Sequence, residues 1–401
     1  MKILKYKNYR YLFVAQLVSQ LGDRIHSLAL LWITYKWSQS SSAVGGIMIA
    51  TTLPGILISP YAGSVVDKFN KSKIMALADL IRGFLVFSLF YISLKGFLNY
   101  KILIVISIFL SIASAFFNPS ALALLPELIP SKYLTNANAL NQMSNSASAV
   151  IGPLFGSAII SIIGVPMAFL FNSFSFFFSM FFVLKMNVTI LFDKVSSSII
   201  NAKNSFLEVI NIPILKKLLL PIVIVNFFFS SVVIIVPIVA EGIFHLGAAG
   251  IGYMMSAFGT GMLLGTILLS FFKKFNKLLI LIVSFLVMGC SFFIMGVFLN
   301  FNVSLISLFM AGLCLTVLNI ILIVMFQELI PFTNRGKVMA IITGIALSMQ
   351  PLSYGVTGII LDKITSSTML IISGIIIFLT GIFTFFIKEL KILSNREIKN
   401  G

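Results

Sequence analysis

The chain reads as a succession of long apolar runs, each about the length of a membrane crossing, separated by short polar or charged stretches. The hydrocarbon core of a bilayer takes about 20 helical residues per crossing. Windows of that kind fall at 11–35, 43–66, 74–94, 102–125, 134–163 and 165–185, and again at 218–240, 248–272, 278–299, 302–327, 338–361 and 367–387. The pattern predicts an all-α polytopic membrane protein with twelve transmembrane helices.

Charge tests that count, because Lys and Arg collect in the cytoplasmic connections of a membrane protein. With both termini and the even-numbered connections on one side, that side holds 22 basic residues. The other side holds four, Lys36, Lys95, Lys101 and Lys363, with Arg24 and Arg82 left inside spans. The asymmetry predicts an even number of crossings, both termini in the cytoplasm and a multi-pass location in the cell membrane.

Composition agrees. Hydrophobic residues make up 59% of the chain and charged residues 10%, and the mean hydropathy is +1.10; a water-soluble domain cannot hide that much apolar surface. The net charge of +17 would suit nucleic acid, but topology already accounts for it, so no nucleic acid partner is expected. The two cysteines, Cys290 and Cys314, each lie in an apolar run; neither a disulfide framework nor a metal site is indicated. The basic stretch Met1 to Arg10 before an apolar run resembles a signal peptide. The run is too long, however, and Asp23 and Arg24 interrupt it, so it is read as the first membrane helix.

The longest polar connection, 186–217, divides the chain near its middle. It predicts a six-helix bundle at 1–185, a cytoplasmic linker at 186–217, and a second bundle with a basic tail at 218–401. An internal repeat supports the division. Glu127-Leu128-Ile129-Pro130 recurs as Glu328-Leu329-Ile330-Pro331, Phe69-Asn70-Lys71 as Phe275-Asn276-Lys277, and Gly152-Pro153 with Gly156 is echoed by Pro351 and Gly355. Parallel six-helix repeats are expected of transporters that rock two halves about a central site.

The loop after the second helix, Gly63-Ser64-Val65-Val66-Asp67-Lys68-Phe69-Asn70-Lys71-Ser72-Lys73, resembles the signature of the major facilitator superfamily. The resemblance implies the major facilitator fold and a cytoplasmic gating motif of Gly63, Asp67, Lys68 and Lys71. In that reading Gly63 permits close helix packing, and Asp67 caps a helix or pairs with a base as a latch. Asn70 stands where the family usually has Gly, and Asn tolerates a left-handed backbone. Ser148, Gly152-Pro153 and Gly156-Ser157 in the fifth helix resemble the motif of drug antiporters of that superfamily. There small residues bring helices together and the proline bends one. Asn8-Tyr9-Arg10-Tyr11-Leu12-Phe13 with Gly22-Asp23, and Ala121 to Pro130 followed by Asn136-Ala137-Asn138-Ala139-Leu140, resemble the branch containing macrolide efflux proteins and the enterobactin exporter. The basic residue that proton-coupled exporters carry in their fourth helix has no counterpart in the interior of this one.

Ionisable groups inside a membrane cost a few kcal/mol unless paired or hydrated, which singles out Asp23, Arg24, Asp79 and Arg82. Asp23 falls near the middle of the first helix, one turn before His26. A carboxylate in a partly dry cavity can exchange a proton near neutral pH. Asp23, His26 and Arg24 therefore form the candidate proton-coupling group; a fixed ion pair of Asp23 with Arg24 or Arg82 is the bland alternative. Asp79 and Arg82, three residues apart, are expected to form a structural ion pair toward the cytoplasmic side. Glu127 and Glu328 are expected to be latch partners for loop bases, and the Phe runs 176–178 and 227–229 to face lipid or pack helices. Gln16, Gln20, Asn141, Gln142, Asn226, Asn319 and Gln350 are candidate cavity residues.

These expectations add up to a secondary active transporter, a proton-coupled exporter of amphipathic small molecules such as macrolide-like drugs, with antibiotic resistance as its consequence. It would act as a monomer on a small-molecule substrate and protons within the lipid bilayer, with no cofactor and no metal. A siderophore or lipid exporter and an uptake carrier need the same fold. A membrane receptor or enzyme is disfavoured: no G-x-S-x-G, no H-E-x-x-H and no phosphate-binding loop is present, and there are only two His, His26 and His245.

Overall fold

Short caps and turns set where the helices begin and end. The computed structural model describes residues 2–186, 213–269, 276–329 and 335–387. After a short 3-10 turn at Lys2–Lys5 come α1 (Lys7–Ser38), α2 (Ser41–Lys68), α3 (Lys71–Leu94), α4 (Tyr100–Leu128), α5 (Leu134–Ile162) and α6 (Val165–Leu184). Then follow α7 (Pro213–Pro237), α8 (Gly247–Leu269), α9 (Lys277–Val297), α10 (Phe301–Leu329), α11 (Arg335–Leu361) and α12 (Ser366–Phe385). At 20 to 32 residues and 1.5 Å rise each, these helices are about 30–48 Å long, enough to cross a bilayer.

Side chains supply the missing partners at the helix starts. Ser40 Oγ accepts from the Ala43 amide at 3.3 Å, Asn99 Oδ1 from Ile102 at 3.0 Å, and Thr365 Oγ1 from Thr368 at 3.2 Å. Gln39, with φ 49°, turns the chain from α1 into α2, and Gly164, with φ 101°, turns it from α5 into α6.

The expected windows and the observed helices coincide to within a few residues, with one difference of kind. Among the described residues eleven helices are long and apolar enough to cross a membrane by composition. The helix outside that set is α1, which has the length but carries Gln16, Gln20, Asp23, Arg24 and His26 in its middle. A polar helix of this length is stable in a membrane when its polar face is turned to protein or water. α7 also begins at Pro213, inside the stretch read as linker; the rest of 186–217 after Met186 lies outside the described residues, as does the basic tail from Lys388. Ile330-Pro331, Lys273, Lys274 and Phe275 lie outside them too.

The chain divides into two compact units, Met1–Ser196 with Ala240–Ser256 and Ser197–Val239 with Ala257–Gly401. In the first, α1 packs on α5 and α6, α3 on α4 and α6, and α2 on α4. In the second, α9 runs closely along α12. There Gly289 and Gly374 face each other so tightly that a Cβ at either would meet the other's carbonyl oxygen, at 2.8 and 2.7 Å. Small residues of this kind are what let helices associate where lipid is as apolar as leucine. Both units leave large apolar side chains exposed, Leu57, Phe84, Phe155 and Ile306 among them.

Candidate transport site

The first charged constellation is built on α3, α4 and α6. Asp79 is fully buried and Arg82 nearly so, and Arg82 Nη2 donates to Asp79 Oδ1 one helical turn away. Ser179 Oγ of α6 donates to the other carboxylate oxygen at 2.6 Å. Phe117 and Phe176 sandwich the guanidinium, each ring centroid 4.3 Å from its central carbon. A buried charge is tolerable only when its field is neutralised; here the carboxylate takes bonds from Arg82 and Ser179 and two ring faces flank the guanidinium, while the buried Arg82 Nε has no hydrogen-bond partner. One detail departs from the sequence reading. Arg82 is the twelfth of 24 residues in α3, so the pair sits midway along the helix rather than toward the cytoplasm. Phe176, expected to face lipid or pack helices, is a fully enclosed ring packed on the Arg82 cation.

The second constellation is the polar face of α1. Asp23 and Arg24, the seventeenth and eighteenth of its 32 residues, are both exposed. Arg24 Nη2 donates to Asn145 Oδ1 of α5 at 2.9 Å. One turn earlier Ser144 Oγ of α5 donates to Gln20 Oε1 at 3.2 Å, so two successive turns of α1 are tied to α5 by polar bonds. The charges that act on Asp23 are Arg82 and Asp79 of α3 and Arg24 beside it, and Asn172 of α6 is its neutral polar neighbour. An exposed carboxylate and guanidinium halfway along a membrane helix are costly beside acyl chains.

His26 belongs to a different environment. It is buried, its ring lies 5.3 Å from that of Phe169, and neither ring nitrogen has a hydrogen-bond partner. Helical spacing puts it on the Asp23 side of α1, but it packs into the seam with α6 while Asp23 stays exposed.

The small residues of α5 use two faces. Toward α1, a Cβ at Gly152 would overlap the Arg24 Cβ, and one at Gly156 would stand 3.1 Å from the Ile25 Cα. Toward α8, a Cβ at Gly252 would overlap the Ser157 side chain and lie 2.8 Å from the Pro153 carbonyl oxygen. Ser256 Oγ then donates to the Val150 carbonyl at 2.8 Å. Gly152, Pro153 and Gly156 are thus the contact surface of α5 for both neighbours.

The loop after α2 is built differently from expectation. Nothing lies within 4 Å of a Cβ at Gly63, so close packing is not its role in this conformation. Asp67 and Lys68 are exposed, and no ion pair to Asp67 occurs among the described residues. Lys71 is the engaged base, its Nζ 2.7 Å from Glu127 Oε1 at the end of α4; the side chain of Glu328 lies outside the described set. Asn70 is not left-handed: its φ of −64° and ψ of 112° are extended, and its Oδ1 caps α3 by accepting from Ser72 and Lys73 at 3.0 and 3.2 Å. Asn276 does the same for α9, with φ −60°, ψ 116° and bonds from Leu278 and Lys277's next-but-one neighbour Leu279 at 2.9 and 3.3 Å. The second copy of the Phe-Asn-Lys echo is therefore a second copy of a cap.

Of the remaining polar candidates, Gln142 and Asn319 are exposed and Gln16, Asn141 and Gln350 half-buried. Asn226 donates its amide to the Ile222 carbonyl of its own helix at 2.9 Å. Sequence reasoning missed Asn145, Ser144, Asn172 and Ser179. The polar run Asn141 to Ser148, dense for a membrane span, is the signal that pointed to the first two; Asn172 and Ser179 stand alone among Phe and Ser on α6.

A family model described as a transmembrane secretion effector matches residues 2–399. Macrolide efflux protein A of Streptococcus pyogenes is 24% identical over 403 residues, covering 96% of this chain and 98% of that one. An uncharacterised MFS-type transporter of Bacillus subtilis, YfiS, is 30% identical over 169 residues, or 42% of this chain; that match spans only 39% of the relative's length. Among solved structures, a bacterial homologue of the iron transporter ferroportin, in an inward-facing state, superposes with a TM-score of 0.74 at 13% identity, covering 94% of this chain and 98% of that one.

Proposed function

The chain belongs to the transmembrane secretion effector family of the major facilitator superfamily, and on that premise we propose that it is a proton-coupled exporter of amphipathic small molecules, macrolide-like drugs among them. It is a multi-pass membrane transporter; the finer reading rests on Asp23, an exposed carboxylate at mid-helix that is costly beside acyl chains.

In this reading Asp23 takes a proton from the outer side and gives it up to the cytoplasm, exchanging it for the basic or polar head of a substrate. The buried Arg82–Asp79 pair supplies a fixed field at the carboxylate, and Arg24 and Gln20 hold α1 in register with α5. His26 packs the α1–α6 seam rather than relaying protons. The small-residue faces of α5 let α1 and α8 shift against it without opening voids. Two six-helix bundles, 1–185 and 218–401, joined by a cytoplasmic linker with both termini in the cytoplasm, complete the proposal, with the monomer in the cell membrane as the working unit. The similarity to a protein named for macrolide efflux supports the direction of transport and the amphipathic substrate.

The test is Asp23→Asn in proteoliposomes with a labelled macrolide. A carboxamide mimics the protonated acid and can neither release a proton nor pair with a basic head, so export driven by a pH gradient is expected to stop and substrate-for-substrate exchange to fall with it. Gradient-driven export at the wild-type rate in Asp23→Asn would remove the proposed coupling.

A further inference from the structure

Asp23 and Arg24 are adjacent, oppositely charged and both exposed. Consecutive helical residues point about 100° apart. Arg24 is carried over Gly152 and fixed to Asn145 of α5. Asp23 feels Arg82 and Asp79 of α3, Arg24 beside it and the polar Asn172 of α6. The same face of α1 thus presents one acidic and one basic group, the basic one fixed by Asn145.

We propose that this face recognises zwitterions, with Asp23 taking the ammonium group of the transported molecule and Arg24 its carboxylate. The second half follows from chemistry: a guanidinium is a planar fork of N–H donors matched to a carboxylate, and the bond from Nη2 to Asn145 Oδ1 fixes the plane of that fork before a ligand arrives. Asn145 is accordingly a positioning residue.

The signs select the class. A simple cation replaces the proton on Asp23 but meets repulsion from Arg24. A simple anion suits Arg24 but, beside Asp23, favours retention of the proton, which couples proton and substrate in the same direction. A molecule with both charges satisfies both groups and still displaces the proton. The zwitterion carries no net charge outward while one proton moves inward, so each cycle moves one positive charge into the cell. A monocation exchanged for one proton moves none. The coupling part rests on the export reading above; the recognition part does not.

The experiment uses the purified full chain and two probes, a fluorescent quinolone bearing a piperazinium and a carboxylate, and its ethyl ester, which keeps only the cation. Near neutral pH in detergent, the wild type is expected to bind the zwitterion about tenfold more tightly than the ester, the scale of one charge-assisted contact. Arg24→Gln should lose that preference by weakening the zwitterion and tightening the ester, which no longer meets a like charge; Arg24→Lys should keep part of it; Asn145→Ala should weaken the zwitterion alone. A wild type that binds neither probe or both alike, or an Arg24→Gln that weakens both equally, overturns the assignment. In proteoliposomes an inside-negative potential should speed export of the zwitterion and leave that of the ester unchanged. If the binding pattern holds while neither probe follows a pH gradient, the recognition stands and the proton-coupled export reading falls.

Discussion

Gly152 of α5 lies against the stem of Arg24 of α1 so closely that a methyl group at 152 would overlap the Arg24 Cβ and stand 3.1 Å from its Cγ. The contact sets where the guanidinium can go. Gly152→Ala is expected to cost about 1–3 kcal/mol, the usual penalty for overpacking, read as a lower midpoint of thermal unfolding in detergent. It should also impair transport more than Gly63→Ala, whose added methyl meets nothing within 4 Å.

The caged ion pair makes a different prediction. Removing one partner leaves a buried charge, so Arg82→Met or Asp79→Leu alone should destabilise by about 3–5 kcal/mol. The double variant removes both charges and should recover most of that loss. Thermal unfolding measures the recovery, and transport separates the roles: a pair that only holds helices leaves the double variant active, whereas one that sets the field at Asp23 leaves it folded and uncoupled.

Asn70 and Asn276 cap their helices through the same two bonds. Alanine at either position should cost about 1 kcal/mol, and glycine only a few tenths. Denaturation of the four single variants checks this, and a much larger loss at one site than at the other would break the equivalence.

Lys71 and Glu127 form a partly exposed pair, their side chains 21% and 25% accessible. Pairs of that kind contribute about 0–1 kcal/mol. A double-mutant cycle with Lys71→Ala and Glu127→Ala should give a coupling energy in that range and one that shrinks in high salt, so any large effect on transport rate in these variants reports the latch and not the fold.

Much of the architecture was legible in the chain because membranes enforce it. Apolar length marked the helices, a consequence of a solvent that satisfies no backbone group. Asp79 and Arg82 could be paired from spacing alone, since residues three apart share a helix face. What escaped was whatever depended on a third helix: Ser179 and the two Phe rings around Arg82, Asn145 under Arg24, and the separate surroundings of His26 and Asp23. Spacing places two residues on one side of a helix, but it does not say how far each projects past the neighbour packed there. Asn70 shows the same limit at backbone level. Its tolerance of a left-handed turn was sound chemistry, but the side chain found a better use as a cap for α3.

Those twin caps have a bearing on how the protein is made. Each is complete within four consecutive residues and asks nothing of any other helix, so the third helix of either repeat acquires its starting point as soon as that stretch leaves the ribosome. Each half of the chain thus carries within itself the signal that starts its third helix.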